Sequence, residues 1–175
     1  METKKAIGIT LLVILSVALL LAAWPASCYM LSYKQPDPPR PEITYGEFPF
    51  RVEYEINGEL IVVEDTIICE FDGFNVSWGG DGKTRKWKAS FASGRKTLFK
   101  QSADLLVDDA NHIYFALGSA AYYMGEWNFN STLRVYQLRG NGKMDVKIPP
   151  DELFNTYNIR VISYEFSPPI VNSFK

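Results

Sequence analysis

"FPFRVEYEINGELIVVEDTIICEF", residues 48–71, carries the fold class of this chain in its alternation. Phe50, Val52, Tyr54 and Ile56 alternate with Arg51, Glu53 and Glu55, the period of a strand with one buried face. Asn57-Gly58 supplies the two positive-φ residues that a type I′ turn needs. A two-residue turn sets Ile56 opposite Glu59, Tyr54 opposite Ile61 and Val52 opposite Val63, which places apolar partners on one face. The second arm continues through Thr66, Ile67, Ile68 and Cys69 to Phe71, a β-branched stretch suited to the depth of a sheet.

Working outward, turn chemistry and strand chemistry keep alternating. Gly79-Gly80-Asp81-Gly82 reads as a loop, because glycine there loses backbone entropy and offers no side chain to pack. Arg85, Trp87, Ala89 and Phe91 then share one face of a strand, and Ser93-Gly94 turns the chain before Thr97, Leu98 and Phe99. His112–Leu117, Ser131–Leu138 and Met144–Ile148 read as further strands, the last entered by the turn "GNGK" at 140–143. Pro149-Pro150 ahead of an acidic first turn predicts a helix from Asp151 to about Tyr157. In the closing strand, alternation puts Ile159, Val161, Ser163 and Glu165 on one face and Arg160, Ile162, Tyr164 and Phe166 on the other. The prediction is an all-β domain, an antiparallel β-sandwich or partly open barrel with one short helix.

A different physics governs the amino end. Ala6–Trp24 is an uncharged run of 19 residues, nearly enough helix to cross a hydrocarbon core of roughly 30 Å. Its apolar residues form no single stripe, so the medium that accommodates them is lipid. Lys4 and Lys5 precede the run, and Trp24, Tyr29 and Tyr33 follow it ahead of Lys34. The positive-inside rule then places residues 1–5 in the cytoplasm, a transmembrane signal-anchor helix at 6–33 and the remainder outside the cell membrane. A secretory signal has a shorter apolar core than this one. Ala26-Ser27 ahead of Cys28 resembles the lipobox of bacterial lipoproteins at its small residues, with Pro25 where that pattern has an aliphatic one. Retention, lipidation on Cys28 and cleavage all put the rest of the chain outside the cytoplasm.

"QPDPPRP" at 35–41 reads as an extended spacer, giving a Pro-rich linker at 34–46 and a β-rich domain at 47–175. Beyond the anchor remain 16 basic residues (18 less Lys4 and Lys5) and 19 acidic ones (20 less Glu2), a net charge of −3 that gives nucleic acid no basic patch. Two cysteines make no disulfide framework, so stability must come from an apolar core, and 14% aromatic residues can fill one.

Tests for chemistry mostly return structure. His112 is the sole histidine and opens a strand with no nucleophile signposted beside it. One His and two Cys do not build the usual zinc sites, and no cofactor is expected. "GGDGKT" at 79–84 departs from a phosphate loop, with Ser77 where the first glycine belongs and a strand following, so no nucleotide is expected. Asp72-Gly73 and Asp81-Gly82 read as turns rather than calcium ligands. Glu53, Glu55 and Glu64 read as solvated charges, although a paired-carboxylate hydrolase can be built from such acids. Asn75-Val76-Ser77 and Asn130-Ser131-Thr132 match the glycosylation pattern, which matters in a eukaryote and is a chance match if the source is bacterial. The candidates for a recognition surface are Trp78, Trp127, Tyr122 and Tyr123, flat aromatics that stack on sugar rings or anchor a partner.

"FPFRVEYEINGE", "EDTIICEFDGF" and "YEFSPPIVNSF" together resemble a group of uncharacterised bacterial exported proteins with an amino-terminal membrane segment. The resemblance spans most of the exterior domain and implies topology, with no activity or catalytic residue attached. The expectation is a binding or interaction module of the bacterial cell envelope, held in the bilayer by residues 6–33, its partner an envelope polysaccharide or a membrane protein. The alternatives are a small cell-surface hydrolase with carboxylate chemistry and an accessory subunit of an envelope complex.

Overall fold

The computed structural model describes residues 2–77, 81–127, 132–140 and 144–175, with side chains from Leu12 onward except Ala22. Two compact units divide the chain: residues 1–39 with 74–85, and residues 40–73 with 86–175.

The first unit is led by helix α1, Glu2–Lys34. Its stretch Leu12–Lys34 is long and apolar enough to cross a membrane, and the described side chains along most of its length are exposed. Pro25 removes one helical amide donor, and the helix nevertheless runs on for nine more residues. The carboxy end is held. Ser32 is buried and its Oγ accepts the Gly82 N–H at 3.3 Å. Lys83 reaches Asp37 at 2.8 Å and lies 5.5 Å from the Tyr33 ring, while Arg85 donates to the Pro39 carbonyl at 3.0 Å. The spacer at 35–39 is thus pinned by side chains from 83–85.

Two four-stranded antiparallel sheets make the β-sandwich expected from the alternation. The first takes β1 (Tyr45–Ile56), β2 (Glu59–Val76), β3 (Lys83–Phe91) and, from the far end of the sequence, β8 (Ile159–Phe166), in the order β3-β2-β1-β8. The second follows the order β4 (Ser102–Asp108), β5 (Ile113–Ser119), β6 (Arg134–Arg139), β7 (Met144–Lys147). The hairpin register is the one read from the turn: Ile56 pairs with Glu59, Tyr54 with Ile61 and Val52 with Val63. Asn57 and Gly58 both have positive φ, 52° and 82°.

Between the sheets, Tyr54 of β1 meets Phe115 of β5 edge-on with ring centres 5.2 Å apart, while Phe50 and Phe91 meet at 5.7 Å on the inner face of the first sheet. Trp87, Ala89 and Phe91 are buried, as their shared face predicted. Cys69 is a core side chain, and burial pushes its thiol up to about 12.

Several local expectations are corrected. Thr97–Phe99 form no strand; the chain turns there and β4 begins at Ser102. His112 does not open β5 but sits at φ 53° in the turn before it, a conformation that ends extended pairing. A four-residue helix α2 (Ala120–Tyr123), capped by the Ser119 hydroxyl, follows β5 unannounced. Helix α3 (Pro150–Tyr157) stands where the prolines put it and ends in Asn158 at φ 52°. In β8 the pairing with β1 jumps from Glu53–Ser163 to Tyr54–Val161, leaving Ile162 as an extra residue. That bulge switches the faces halfway: Ile159 and Val161 share one face as the alternation put them, but Tyr164 and Phe166, read on the other face, join them by pairing with Val52 and Phe50, while Ser163 and Glu165 turn away.

The carboxy-terminal tail closes over the beginning of the same unit. The Asn172 amide accepts from the Ile43 N–H at 3.0 Å and donates to the carbonyls of Ile43 and Met124 at 2.9 and 3.2 Å. Pro41 bridges to Phe174, and the Ile170 N–H bonds the Tyr123 carbonyl. Gly125, at φ 74°, lets the tail approach so closely that a β-carbon there would lie 2.5 Å from the Ile170 carbonyl oxygen.

Candidate functional site

Strand alternation gives the second sheet two unlike faces. Ala103, Leu105, Ile113, Phe115, Leu117 and Val135 point into the core. The residues between them, Ser102 and Asp104 of β4, Tyr114, Ala116 and Gly118 of β5, Arg134 and Tyr136 of β6 and Asp145 of β7, line a concavity of about 570 Å³ on the opposite face. Ala116 and Gly118 leave its floor low. Phe99 from the β3–β4 connection, Ser119, Tyr122 from α2, and Trp127 and Thr132 from the segments flanking 128–131 raise its walls. That volume lies within the range of small-molecule sites, and an aromatic lining with few polar groups is their usual composition.

The aromatic groups are ordered by one another. Tyr114 and Tyr136 stack at 5.7 Å with planes 21° apart, and Phe99 meets Tyr114 edge-on at 6.1 Å. Trp127 is 53% exposed at the rim.

Asp104 is only 2% exposed at the base of this wall. Burial disfavours its charge and, offset in part by hydrogen bonds from Ser102 and the Phe99 backbone and reinforced by the nearby charge of Asp145, pushes the carboxyl up to about 6. The Ser102 hydroxyl donates to its Oδ2 at 2.6 Å. Tyr114 is raised as well, first by burial and then by its hydrogen bond to Asp145. The concavity therefore holds a carboxyl that takes up a proton in mildly acidic water, beside a second carboxylate engaged with a phenol.

The sequence candidates divide. Tyr122 and Trp127 come together on this concavity. Tyr123 does not: it is fully buried, packs on Phe48 at 4.8 Å and donates its hydroxyl to the Leu117 carbonyl at 2.8 Å, so it is a core residue rather than a surface one. The one-turn helix α2 sends neighbouring tyrosines in different directions. Trp78 lies outside the described residues. Cys28 lies partly exposed within α1. Glu53 and Glu64 both bind Arg51, at 2.5 and 2.8 Å, as solvated surface charges do. No group of three His, Cys, Asp or Glu among the described residues is placed to hold a metal ion.

Asp104, Asp145, Tyr114 and Tyr136 were not singled out in the sequence. The usable signal was the alternation Ala103-Leu105-Val107 against Ser102-Asp104-Leu106, which marks β4 and puts Asp104 on its second face.

Compared with protein-family models, with curated proteins and with solved structures, the chain matches none.

Proposed function

We propose that this chain is a membrane-tethered binding module of the bacterial cell envelope whose concavity takes a segment of polysaccharide. The observation that carries the reading is the combination of aromatic faces from Tyr136, Tyr122 and Trp127 with Asp104, Asp145, Ser102 and Arg134 in one open hollow. A sugar ring has an apolar C–H face and a rim of hydroxyls; flat rings cover the first, while carboxylates and a guanidinium bond the second. The test is calorimetric titration of the full chain in detergent with soluble fragments of envelope polymers. Trp127→Ala is expected to weaken binding at least tenfold with melting unchanged, Tyr136→Ala to weaken it as much with some loss of melting temperature from its lost stack on Tyr114, and absence of binding to any fragment refutes the reading.

A second reading has its own support. The raised Asp104 carboxyl and the neighbouring Asp145 offer an acid and a carboxylate in one site, the pair that glycoside hydrolysis uses. It predicts new reducing ends from a bound glycan, lost in Asp104→Asn and Asp145→Asn; intact glycan after prolonged incubation rejects it.

For topology, we infer a retained anchor with residues 1–5 cytoplasmic and residues from about 34 onward outside. Lys4 and Lys5 support the direction, and the unbroken helix through Cys28 to Lys34 supports retention over lipidation or cleavage. Protease added to intact cells should remove the β-domain. Protection until lysis inverts the topology, and a mature mass lacking residues 1–27 rejects retention.

A further inference from the structure

We propose that β8 pairs edge to edge, antiparallel, with β8 of a second copy of this chain. The inference is independent of the saccharide reading, since it uses another sheet. β8 ends its sheet, so among the described residues its outer edge carries backbone donors and acceptors with no neighbouring strand. Its apolar residues are uncovered too: Ile162 is 50% exposed and Tyr164 44%, although Tyr164 shares the inward face of Val52. Beside them runs a groove of about 650 Å³, bounded by β6, β7 and α3, that the opposite sheet leaves open.

The choice of a second copy comes from the order of residues along this edge. Arg160 pairs with Glu55 and Glu165 with Arg51 across the ladder to β1, so both lie on the outward face. Residues five apart fall on one face only because Ile162 is bulged. A two-fold axis through the midpoint of Ile162 and Ser163 sets Arg160 opposite Glu165 of the second copy, Val161 opposite Tyr164 and Ile159 opposite Phe166. Outward residues meet outward ones, inward meet inward, and symmetry makes the charge pair twice. Neither Arg160 nor Glu165 forms an ion pair among the described residues; Arg160 rests over the Phe154 ring at 4.4 Å. A slip of one residue abolishes both the charge match and the face match, so the register is specified. Copies held in one bilayer also meet at a raised effective concentration.

The test uses the full chain in cell membranes with Cys28→Ser to remove the other accessible thiol. Ser163→Cys stands half a residue from the axis, which puts the two Cα atoms about 6 Å apart from the spacing and rise of a sheet, within disulfide reach. Mild oxidation is expected to give a cross-linked dimer at a yield at least fivefold above Lys96→Cys, an exposed site away from this edge. Adding Arg160→Glu or Glu165→Arg is expected to cut that yield fivefold or more, and the two together to restore it within twofold. Melting of each variant, and the rescue by the double reversal, separate a lost contact from a lost fold. Yield equal to that of Lys96→Cys overturns the proposal, as does cross-linking that survives both single reversals or fails to return in a folded double variant. Pairing of β8 instead with an added acidic peptide, with no dimer formed, overturns it as well.

Discussion

Replacing Asp104 by Asn tests the electrostatics of the concavity directly. An ordinary aspartate ionises near 3.8, whereas Asp104 does so at about 6. Between those values the folded protein retains a proton that the unfolded chain has lost, so stability falls as pH rises through the window from about 4 to about 6. About 2 pH units at 1.36 kcal/mol each give about 3 kcal/mol, fully lost above the upper value. Asparagine has nearly the same shape, still accepts from the Ser102 hydroxyl and never ionises. The variant should therefore stay level across the window in which the wild type declines, and above pH 7 it should be the more stable by about 3 kcal/mol. That is about 10 °C in melting temperature for a domain of this size. Lys175 and Lys86 hold the carboxyls of Glu42 and Asp72 below their ordinary values, and both groups act equally in the two proteins. The assay is thermal unfolding of the full chain in detergent, followed by tryptophan fluorescence at half-unit steps from pH 3.5 to pH 8. Parallel profiles for the two proteins refute the reasoning, because they mean that Asp104 is ionised without penalty.

Three further outcomes follow from the core and the turns. Phe115→Ala removes a fully buried ring that packs on Tyr54 and should cost about 3–5 kcal/mol in urea unfolding; a loss below about 1 kcal/mol contradicts the packing described. Gly58→Ala meets open space yet should cost about 1 kcal/mol, because the strain lies in its φ of 82° rather than in contacts. Cys69 should resist a thiol reagent at pH 8 until the domain is denatured, and prompt labelling in the native chain rules out its burial.

The sequence exposed those parts of the fold that are written locally. In the β1–β2 hairpin, alternation and the Asn-Gly turn act within a few residues of one another, so register could be read to the residue. The faces of β8 could not, because its bulge arises in the pairing with β1, more than a hundred residues away in the chain. The concavity was half legible. Tyr122 and Trp127 announced themselves as aromatics near polar loops, and Trp87 showed its buried face by its neighbours. Asp104 and Asp145 look in sequence like any outward-facing acids, and only the stacking of Tyr114 on Tyr136 and the wall at Phe99 makes their surroundings apolar. Nothing local separated Tyr122 from Tyr123, since one turn of helix decides which ring faces the core.

The clasp of Asn172 and Phe174 over residues 41–43 has a consequence for biosynthesis. Together with β8, which supplies the fourth strand of its sheet, it makes the earliest extended segment depend on residues more than a hundred positions later in the chain. Contacts of such sequence separation slow folding, and β1 keeps one edge bare until β8 has been made. A nascent chain truncated before β8 is therefore expected to be a ready substrate for chaperones and proteases.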